Sequence, residues 1–581
     1  MPSAVLDFHG RRGARAFFSN PLEVITTSSL NEVRPALREV ERAARAGLYV
    51  VGYVAYEAAP AFDRSLSVRE ASTPLLWFGL FDAPARRAPE GSGGEDYGLD
   101  EWKPSETRDA YERNVREVRE RIAHGDTYQV NYTFRLRARF RGDAYAFYER
   151  LRAAQPTRFG AYLDTGRIQI LSASPELFFR RRGSRILTRP MKGTAARGRW
   201  VEEDDAACGA LASSEKNRAE NVMIVDLLRN DLGRVAETGT VRASRFFKVE
   251  RHPTVFQMTS TVGARLRAGA TLEDIFAALF PCGSVTGAPK VSTMRLISEL
   301  EGSPRGVYCG AVGCVMPGGD ALFNVPIRTV VVDAVEGSAE YGTGGGVTWD
   351  STPGGEFEEA LEKARVLVED PSDFELLETL RLEGGRYNLL EEHLARLKAS
   401  AHYFDFRASD SRVREALAEH ASSHSVETPR RVRLLVSRVG GVRVESRELE
   451  QTRGPQAVAL ARAPVDRRER FLYHKTTRRG LYDARRAERP ELFDVLLRNI
   501  EGELTEFTNG NLVVELEGRR STPPRECGLL AGTLREALLR EGSIAERVLT
   551  AEDLIRATRC WFINGVRGWV EVFFADAASQ N

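Results

Sequence analysis

Apolar and polar positions recur along this chain with two periods, and both occur in its first 370 residues. In RDAYERNVREVRERIAHG, Tyr111, Val115, Val118 and Ile122 return every three or four positions, which predicts an amphipathic helix. Immediately afterwards TYQVNYTFRLRARF alternates as a strand does. A helical run ending in EEALEKARVLVE then gives way to FELLETLRLEGGRYNLL, which reads as strand, Gly-Gly turn and strand. Helical and strand periods mixed in this way predict an α+β fold.

Two breaks divide the pattern. Ala83 to Asp100, ending in APEGSGGEDYGLD, is rich in Pro, Gly and acids and predicts a loop or linker behind a front lobe. Glu369 to Asp373 interrupts the second half, so the main boundary is expected near residue 371. The expected organisation is a front lobe over 1–100, a catalytic part over 101–370 and a second domain over 374–581. Ser409 to Arg430 reads as a polar helix with a loop, most simply a solvated face. No repeat of 20 to 50 residues is present, which removes solenoids and propellers.

Composition adds exclusions. The chain has 581 residues, 42% hydrophobic and 28% charged, which is ordinary for a folded soluble protein of several domains. Lys plus Arg number 83 against 82 Asp plus Glu, so no global field would draw it to nucleic acid. The start lacks the order of a signal peptide and no apolar run reaches about 18 residues, so a cytoplasmic protein is expected. The six cysteines are scattered without zinc spacing and read as reduced thiols.

Several segments carry candidate chemistry, each with a plain structural alternative. Glu356, Glu359 and Lys363 in PGGEFEEALEK would share one helix face, as cavity-lining groups or as an exposed ion pair. Glu220 in AENVMIVDLLRNDLG lies on a helix too apolar to be wholly solvated, as a functional carboxylate or a structural salt bridge. Glu176 in SASPELFFR sits among apolar residues that would raise its pKa and let it donate a proton, unless it is a satisfied edge residue. PCGSVTGAPK is not a Walker motif, because Gly283 and Gly287 are too close and no Ser or Thr follows Lys290. GTGGGV, Gly342 to Val347, could offer backbone N–H groups to an anion. Arg328 is a lone cation in the apolar pattern FNVPIRTVVV and needs an anionic partner, from protein or substrate.

Taken in order, GDTYQVNYT, SPELFF, PMKGT, AENVMIVDLLRNDLGRV, GSVTGAPK, RGVYCGAVG, IRTV, GTGGGV and the final ExxExxxK resemble the chorismate-utilising family over about residues 105–369. The resemblance implies large antiparallel sheets with surrounding helices. It also implies a magnesium ion on Glu220 and Glu359, with Glu356 near. Tyr308, Arg328 and the backbone of Gly344, Gly345 and Gly346 would hold the enolpyruvyl carboxylate, with Lys363 beside them. Glu176 would protonate the departing hydroxyl, and Thr286, Gly287 and Lys290 would belong to a closing loop. Two positions select among the family's reactions. Gln129 stands where ring-hydrating members carry a lysine base, and an amide cannot take a proton from water. Lys192 in PMKGT resembles the lysine nucleophile of the members that aminate chorismate at its hydroxyl-bearing carbon. Gln257 stands where pyruvate-eliminating members often have His. The front lobe lacks the Leu-Glu-Ser element of tryptophan-inhibited members, so that feedback is not expected.

Beyond the boundary, FELLETLRLEGGRYNLLEEHLARLKASAHYF, FLYHKTTRRGLYDARR, LTEFTNGNLVV, STPPRECGLLAGTLREAL and CWFINGVRGWVEV resemble the fold-type IV pyridoxal-phosphate family over about 374–577, with its leading strand hardly represented. That implies Lys475 as the lysine bound to pyridoxal 5'-phosphate, with Glu506 on the ring nitrogen. Arg396, the amides of Thr533 and Leu534, and Thr508 would hold the phosphate end. Together the two resemblances imply amination of chorismate followed by loss of pyruvate to give 4-aminobenzoate. An anthranilate-type synthase joined to an aminotransferase, or a degenerate second domain serving interactions, are the alternatives. No segment resembles a glutamine amidotransferase, so ammonia is expected from a separate subunit or from solution. A homodimer through the second domain is compatible with the resemblance.

Overall fold

The computed structural model describes residues 2–8, 15–85, 97–368, 373–424 and 427–575. Most of the Ala83–Asp100 linker and four of the five boundary residues at 369–373 lie outside them. Two compact units emerge, one of Met1–Arg197 with Cys208–Pro371, the other of Gly198–Ala207 with Ser372–Asn581.

The first unit is built on two antiparallel sheets. One runs Gly287–Ala288, Gln129–Gly142, Ser338–Val347, Thr329–Asp333, Ile168–Ser172, Phe159–Asp164, Ser3–Phe8 and Ala16–Ser19. The other runs from Met191–Ala196 and Val255–Arg265, through Arg185–Arg189 and Leu177–Arg182, to Tyr49–Val54, Leu76–Phe81 and Glu23–Thr27. Ala4, Leu6, Leu163 and Ile170 of the first sheet pack with Val51, Tyr53, Trp77 and Val312 of the second, so the sheets face each other. Helices cover the outer faces, Arg108–Ala123 and Pro353–Ala364 on one side, Leu30–Arg45 and Leu272–Leu279 on the other. Strands from the first 85 residues join both sheets, so the front lobe is built into the same unit as the catalytic part.

Patterning dictated these elements where a face is one-sided. The predicted helix runs Arg108–Ala123, buries Tyr111, Val115 and Val118, and starts where the Thr107 hydroxyl accepts from the Ala110 N–H. In Gln129–Gly142 the alternation sorts two kinds of burial. Val130, Tyr132, Phe134 and Leu136 enter the helix-side core, whereas Gln129, Asn131, Thr133 and Arg135 are buried polar residues on the other face.

The second unit has a four-stranded sheet, Arg386–Tyr387, Leu376–Glu383, Arg430–Val436 and Val442–Glu448, backed by the helix Leu390–Phe404. It also has an eight-stranded sheet that closes on itself where Leu504–Phe507 pairs with Gly510–Leu516. The helix Asp410–Ser422 buries Val413 and Leu417, so it is not the wholly solvated face expected; 425 and 426 lie outside the described residues.

The boundary at 371 needs one correction. Gly198–Ala207, from the first half of the sequence, belongs to the second unit. Trp200 enters a core with Val465, Leu472, Tyr473 and Val495, and its ring lies 5.1 Å from that of Tyr473. The Arg199 carbonyl accepts from His474 Nε2 at 3.1 Å, which fixes the ring next to Lys475. A buried Trp in a polar stretch, GRWVEEDD, was the available signal, but its partners lie about 270 residues away in sequence.

Candidate active sites

In the first unit a cavity of about 300 Å³ is lined by Glu176, Lys192, Glu220, Tyr308, Arg328, Gly344, Gly346, Glu356, Glu359 and Lys363, all singled out from sequence. Lys192 reaches it because of a local irregularity. The pairing of Met191–Ala196 with Val255–Arg265 shifts register between Met191 and Thr194, leaving Lys192 and Gly193 in a bulge, with Gly193 at φ +86°. Bulges re-aim side chains in this way, and glycine takes that φ without strain. Gln257, opposite Thr194, holds the bulge, donating from Nε2 to the Gly193 carbonyl at 2.9 Å and accepting from the Thr194 hydroxyl at 3.1 Å. A Cβ on Gly346 would come within 2.1 Å of Gln129 Nε2 and 2.7 Å of Lys192 Nζ, so a glycine there leaves room for both side chains.

Burial lowers the Lys192 pKa, opposed by Glu220 and Glu176. Burial pushes Glu176 up to about 7, with Ser284 and Lys192 pulling the other way. A carboxyl at that value is protonated often enough near neutrality to act as an acid. Arg328 is buried and donates to Gln155 Oε1 at 2.9 Å, so its partner is neutral and it keeps its full charge for a ligand. Tyr308 is buried beneath the Arg135 guanidinium, 5.1 Å from its ring centre.

The helix Pro353–Ala364 satisfies both readings of its acids. Lys363 pairs with Glu359 at 2.8 Å, and also donates to the Gly344 carbonyl at 2.9 Å at the cavity wall. Glu356 accepts from Ser351 at 2.6 Å. Burial raises the pKa of Glu220 and of Glu356. Among the described residues no three His, Cys, Asp or Glu side chains are grouped to hold a metal, so the expected trio is not a preassembled cage. Glu356 and Glu359 each have a partner of their own. Acidic groups of this number around one cavity fit magnesium in its usual manner, one or two carboxylates with substrate and water completing the shell.

The GSVTGAPK segment departs from expectation. Lys290 pairs with Asp231 at 3.2 Å instead of lining the cavity. Thr286 donates to the Cys282 carbonyl of its own turn, and Gly287 pairs with Val130. Ser284 and Val285 are the members of this loop that line the cavity. Lys216 and Asn217 line it too, and sequence reasoning missed them; their only signal was a place one turn before Glu220 on a helix.

The second unit holds a cavity of about 210 Å³ around Lys475, lined by Arg396, Glu506, Thr508 and Thr533 as expected. Burial, together with Arg479 and Arg396, brings Lys475 down to about 7, the state Schiff-base chemistry requires. Glu506 Oε1 accepts from Tyr482 at 2.8 Å and from the Leu530 N–H at 3.1 Å, and burial raises the group to about 7. Arg396 is clamped by Glu378 at 2.9 and 2.6 Å, and donates to the Ala531 carbonyl. Despite burial, Arg396 and His393 hold Glu378 down to about 2. Thr508 donates to Asp494 at 2.5 Å. Thr533 and Leu534 open the helix Thr533–Arg540, whose first N–H groups have no partner within it; the Leu534 side chain packs into a small core instead of the cavity. A half-buried low-pKa amine, a protonatable carboxyl and a helix N-terminus beside an arginine fit pyridoxal 5'-phosphate. His393, Arg431 and Asn511 also line this cavity and were not anticipated as site residues.

Comparisons with known proteins agree with this division. A family model described as chorismate binding enzyme matches residues 5–369, and one described as amino-transferase class IV matches 375–573. The chain is 46% identical over 262 residues to an aminodeoxychorismate synthase of Streptomyces griseus, covering 45% of this chain and 36% of that protein. It is 42% identical over 258 residues to aminodeoxychorismate synthase component 1 of Bacillus subtilis (strain 168), covering 44% and 54%. The chain thus spans about half the length, or less, of these relatives. The crystal structure of anthranilate synthase component I from Streptococcus pneumoniae TIGR4 aligns at a TM-score of 0.54 and 27% identity, covering 63% of this chain and 92% of that one. Among the described residues no helix is long and apolar enough to cross a membrane.

Proposed function

The chain belongs to the chorismate binding enzyme family, with a class IV amino-transferase domain joined behind it, and from that premise we propose that it makes 4-aminobenzoate in two steps. In the first cavity chorismate and ammonia give 4-amino-4-deoxychorismate. In the second, loss of pyruvate gives 4-aminobenzoate, a precursor of folate. The observation that carries this reading is Lys192, held by its bulge in the same cavity as Glu176. The names of the Streptomyces griseus and Bacillus subtilis relatives support the first step.

In the first step the Lys192 amine attacks the ring carbon beside the carboxylate. The C–O bond of the ring hydroxyl breaks as Glu176 gives its proton, and water leaves. Ammonia then adds at the former hydroxyl carbon, Lys192 departs with its electron pair, and the surplus ammonium proton returns to Glu176. Arg328 and Tyr308 orient the enolpyruvyl carboxylate. Magnesium, held by Glu220 and Glu359 with Glu356 behind, would supply positive charge to the ring carboxylate. Gln129 cannot activate water, so hydration of the ring is disfavoured.

In the second step Lys475, neutral above about pH 7, takes the proton from the amine-bearing ring carbon. The enolpyruvyl ether breaks, enolpyruvate becomes pyruvate on gaining a proton, and the ring becomes aromatic. Pyridoxal 5'-phosphate, held by Lys475, Glu506, Arg396, Thr508 and the amides of Thr533 and Leu534, would supply the electron sink. Ammonia comes from a separate glutamine amidotransferase subunit, a reading supported by the word component in the name of the Bacillus subtilis relative.

Incubating the full-length protein with chorismate, magnesium and ammonium, and identifying products by mass, tests the proposal. 4-Aminobenzoate with equimolar pyruvate is expected. Anthranilate or isochorismate as the product would overturn the first step, and accumulation of 4-amino-4-deoxychorismate would overturn the second.

A further inference from the structure

The four-stranded sheet of the second unit has one apolar face and one strongly cationic face. Val432, Leu434 and Val436 enter the core with Leu376, Leu380 and Leu382, so alternation turns Arg431, Arg433 and Leu435 the other way. Register then sets three rows across the opposite face. Leu377, Leu435 and Arg443 form one, Thr379, Arg433 and Glu445 the next, and Arg381, Arg431 and Arg447 the third. Like charges directly opposite one another destabilise a sheet, so a row of three guanidiniums calls for anions.

The protein supplies only part of them. Arg433 pairs with Glu445 at 3.4 Å, Arg443 with Glu375 at 3.0 Å, and Arg381 with Glu383 at 2.9 Å. Among the described residues, Arg431 and Arg447 have no ion-pair partner. Arg431 lines the Lys475 cavity, and both arginines line a vestibule that shares Thr379, Lys475, Arg479 and Asn509 with it. Burial, with Arg447 and Arg433 adding to it, lowers the Arg431 pKa, as expected of a cation without a counter-charge. Arg396, clamped by Glu378, faces the same cavity from the helix Leu390–Phe404, so Arg431 and Arg447 are surplus to the arginine assigned to the cofactor phosphate.

We propose that Arg431 and Arg447 form a carboxylate-recognition site that selects amines carrying two carboxylates at the Lys475 site. This rests on the reading of that site as a lyase and deepens it. Arg431 is half-buried and Arg447 exposed at the mouth of the vestibule, so an amino acid with one carboxylate engages one guanidinium, whereas a ring amine with two carboxylates gains a charge-assisted contact from each. Selection therefore disfavours transamination of simple amino acids without any group that blocks their entry.

Full-length holoenzyme and its R431Q, R447Q and R431Q/R447Q variants test this with supplied 4-amino-4-deoxychorismate. Each single change is expected to raise KM on the order of tenfold, and the double change further, with kcat within about twofold. R443Q, on the same face but already paired, is the matched control and should leave KM within about twofold. Isophthalate should perturb the visible band of the bound cofactor in the wild type far more strongly than benzoate, and that preference should vanish in the double variant. Unchanged KM in the double variant, or equal binding of isophthalate and benzoate by the wild type, would overturn the proposal. If the wild type released no pyruvate, the lyase reading would fail, yet the isophthalate and benzoate arm would still decide the role of the arginines.

Discussion

Each cavity is organised around a half-buried lysine, but the charges that act most on it differ in sign. Lys192 sits among Glu220, Glu176 and Glu359, which oppose the effect of burial on its amine. At Lys475 burial, with Arg479 and Arg396 adding to it and Glu378 and Glu506 opposing, brings the amine to about 7. The first cavity, lined by four glutamates and also by Lys192, Lys216, Arg328 and Lys363, suits a cation that in turn holds an anionic substrate. The arginine-lined one suits anions directly, a phosphate and carboxylates. Two lysines of one chain thus have their amines shifted by different neighbours.

The sharpest way to break this comparison is to remove each amine separately. Lys192→Ala should lower amination of chorismate by at least about 10³-fold while pyruvate release from supplied 4-amino-4-deoxychorismate persists; Lys475→Ala should do the reverse and abolish the visible cofactor band. Loss of both activities in either variant would mean that the cavities are not independent. A smaller effect is expected from Glu176→Gln, which keeps the shape and removes the acid. Amination should fall about 10²- to 10⁴-fold, and a fall under about fivefold in a steady-state assay would remove Glu176 from the chemistry.

The pKa contrast has its own measurement. In the cofactor-free protein Lys475 should be protonated below about pH 7 and free to react above it, so labelling by an amine reagent, followed by peptide mass, should be half-maximal near pH 7. An exposed lysine would show this only near pH 10. A Lys475 midpoint above pH 9 would mean that the arginines do not act on it as described. The smallest effect should come from Tyr482→Phe, which removes one of the two donors to Glu506. Cofactor affinity should weaken about three- to tenfold in a fluorescence titration, with the fold retained.

How much of this was legible in the sequence depended on the range of the interaction. The helix at Arg108–Ala123 and the strand at Gln129–Gly142 followed from local alternation, because a one-sided environment writes itself into spacing. The residues brought together around Lys192 followed from family motifs, not from spacing alone. Lys290 went astray because its partner Asp231 lies 59 positions earlier, and nothing local distinguishes a lysine at a cavity from one paired beside it. Gln257 looked like a simple departure from related sequences, whereas its amide holds the bulge that aims Lys192. The Arg381, Arg431 and Arg447 row was invisible for a similar reason: alternation gives each strand's face, but register decides which residues stand side by side.

The excursion of Gly198–Ala207 into the second unit has a practical meaning for anyone wishing to dissect the enzyme. A gene fragment beginning after Pro371 would encode both Lys475 and the arginine row yet omit Trp200 and the carbonyl that steadies His474. The two halves are stitched together at three points of the backbone, not one, so a clean scission calls for grafting that decapeptide back, and natural shuffling of either half would meet the same obstacle.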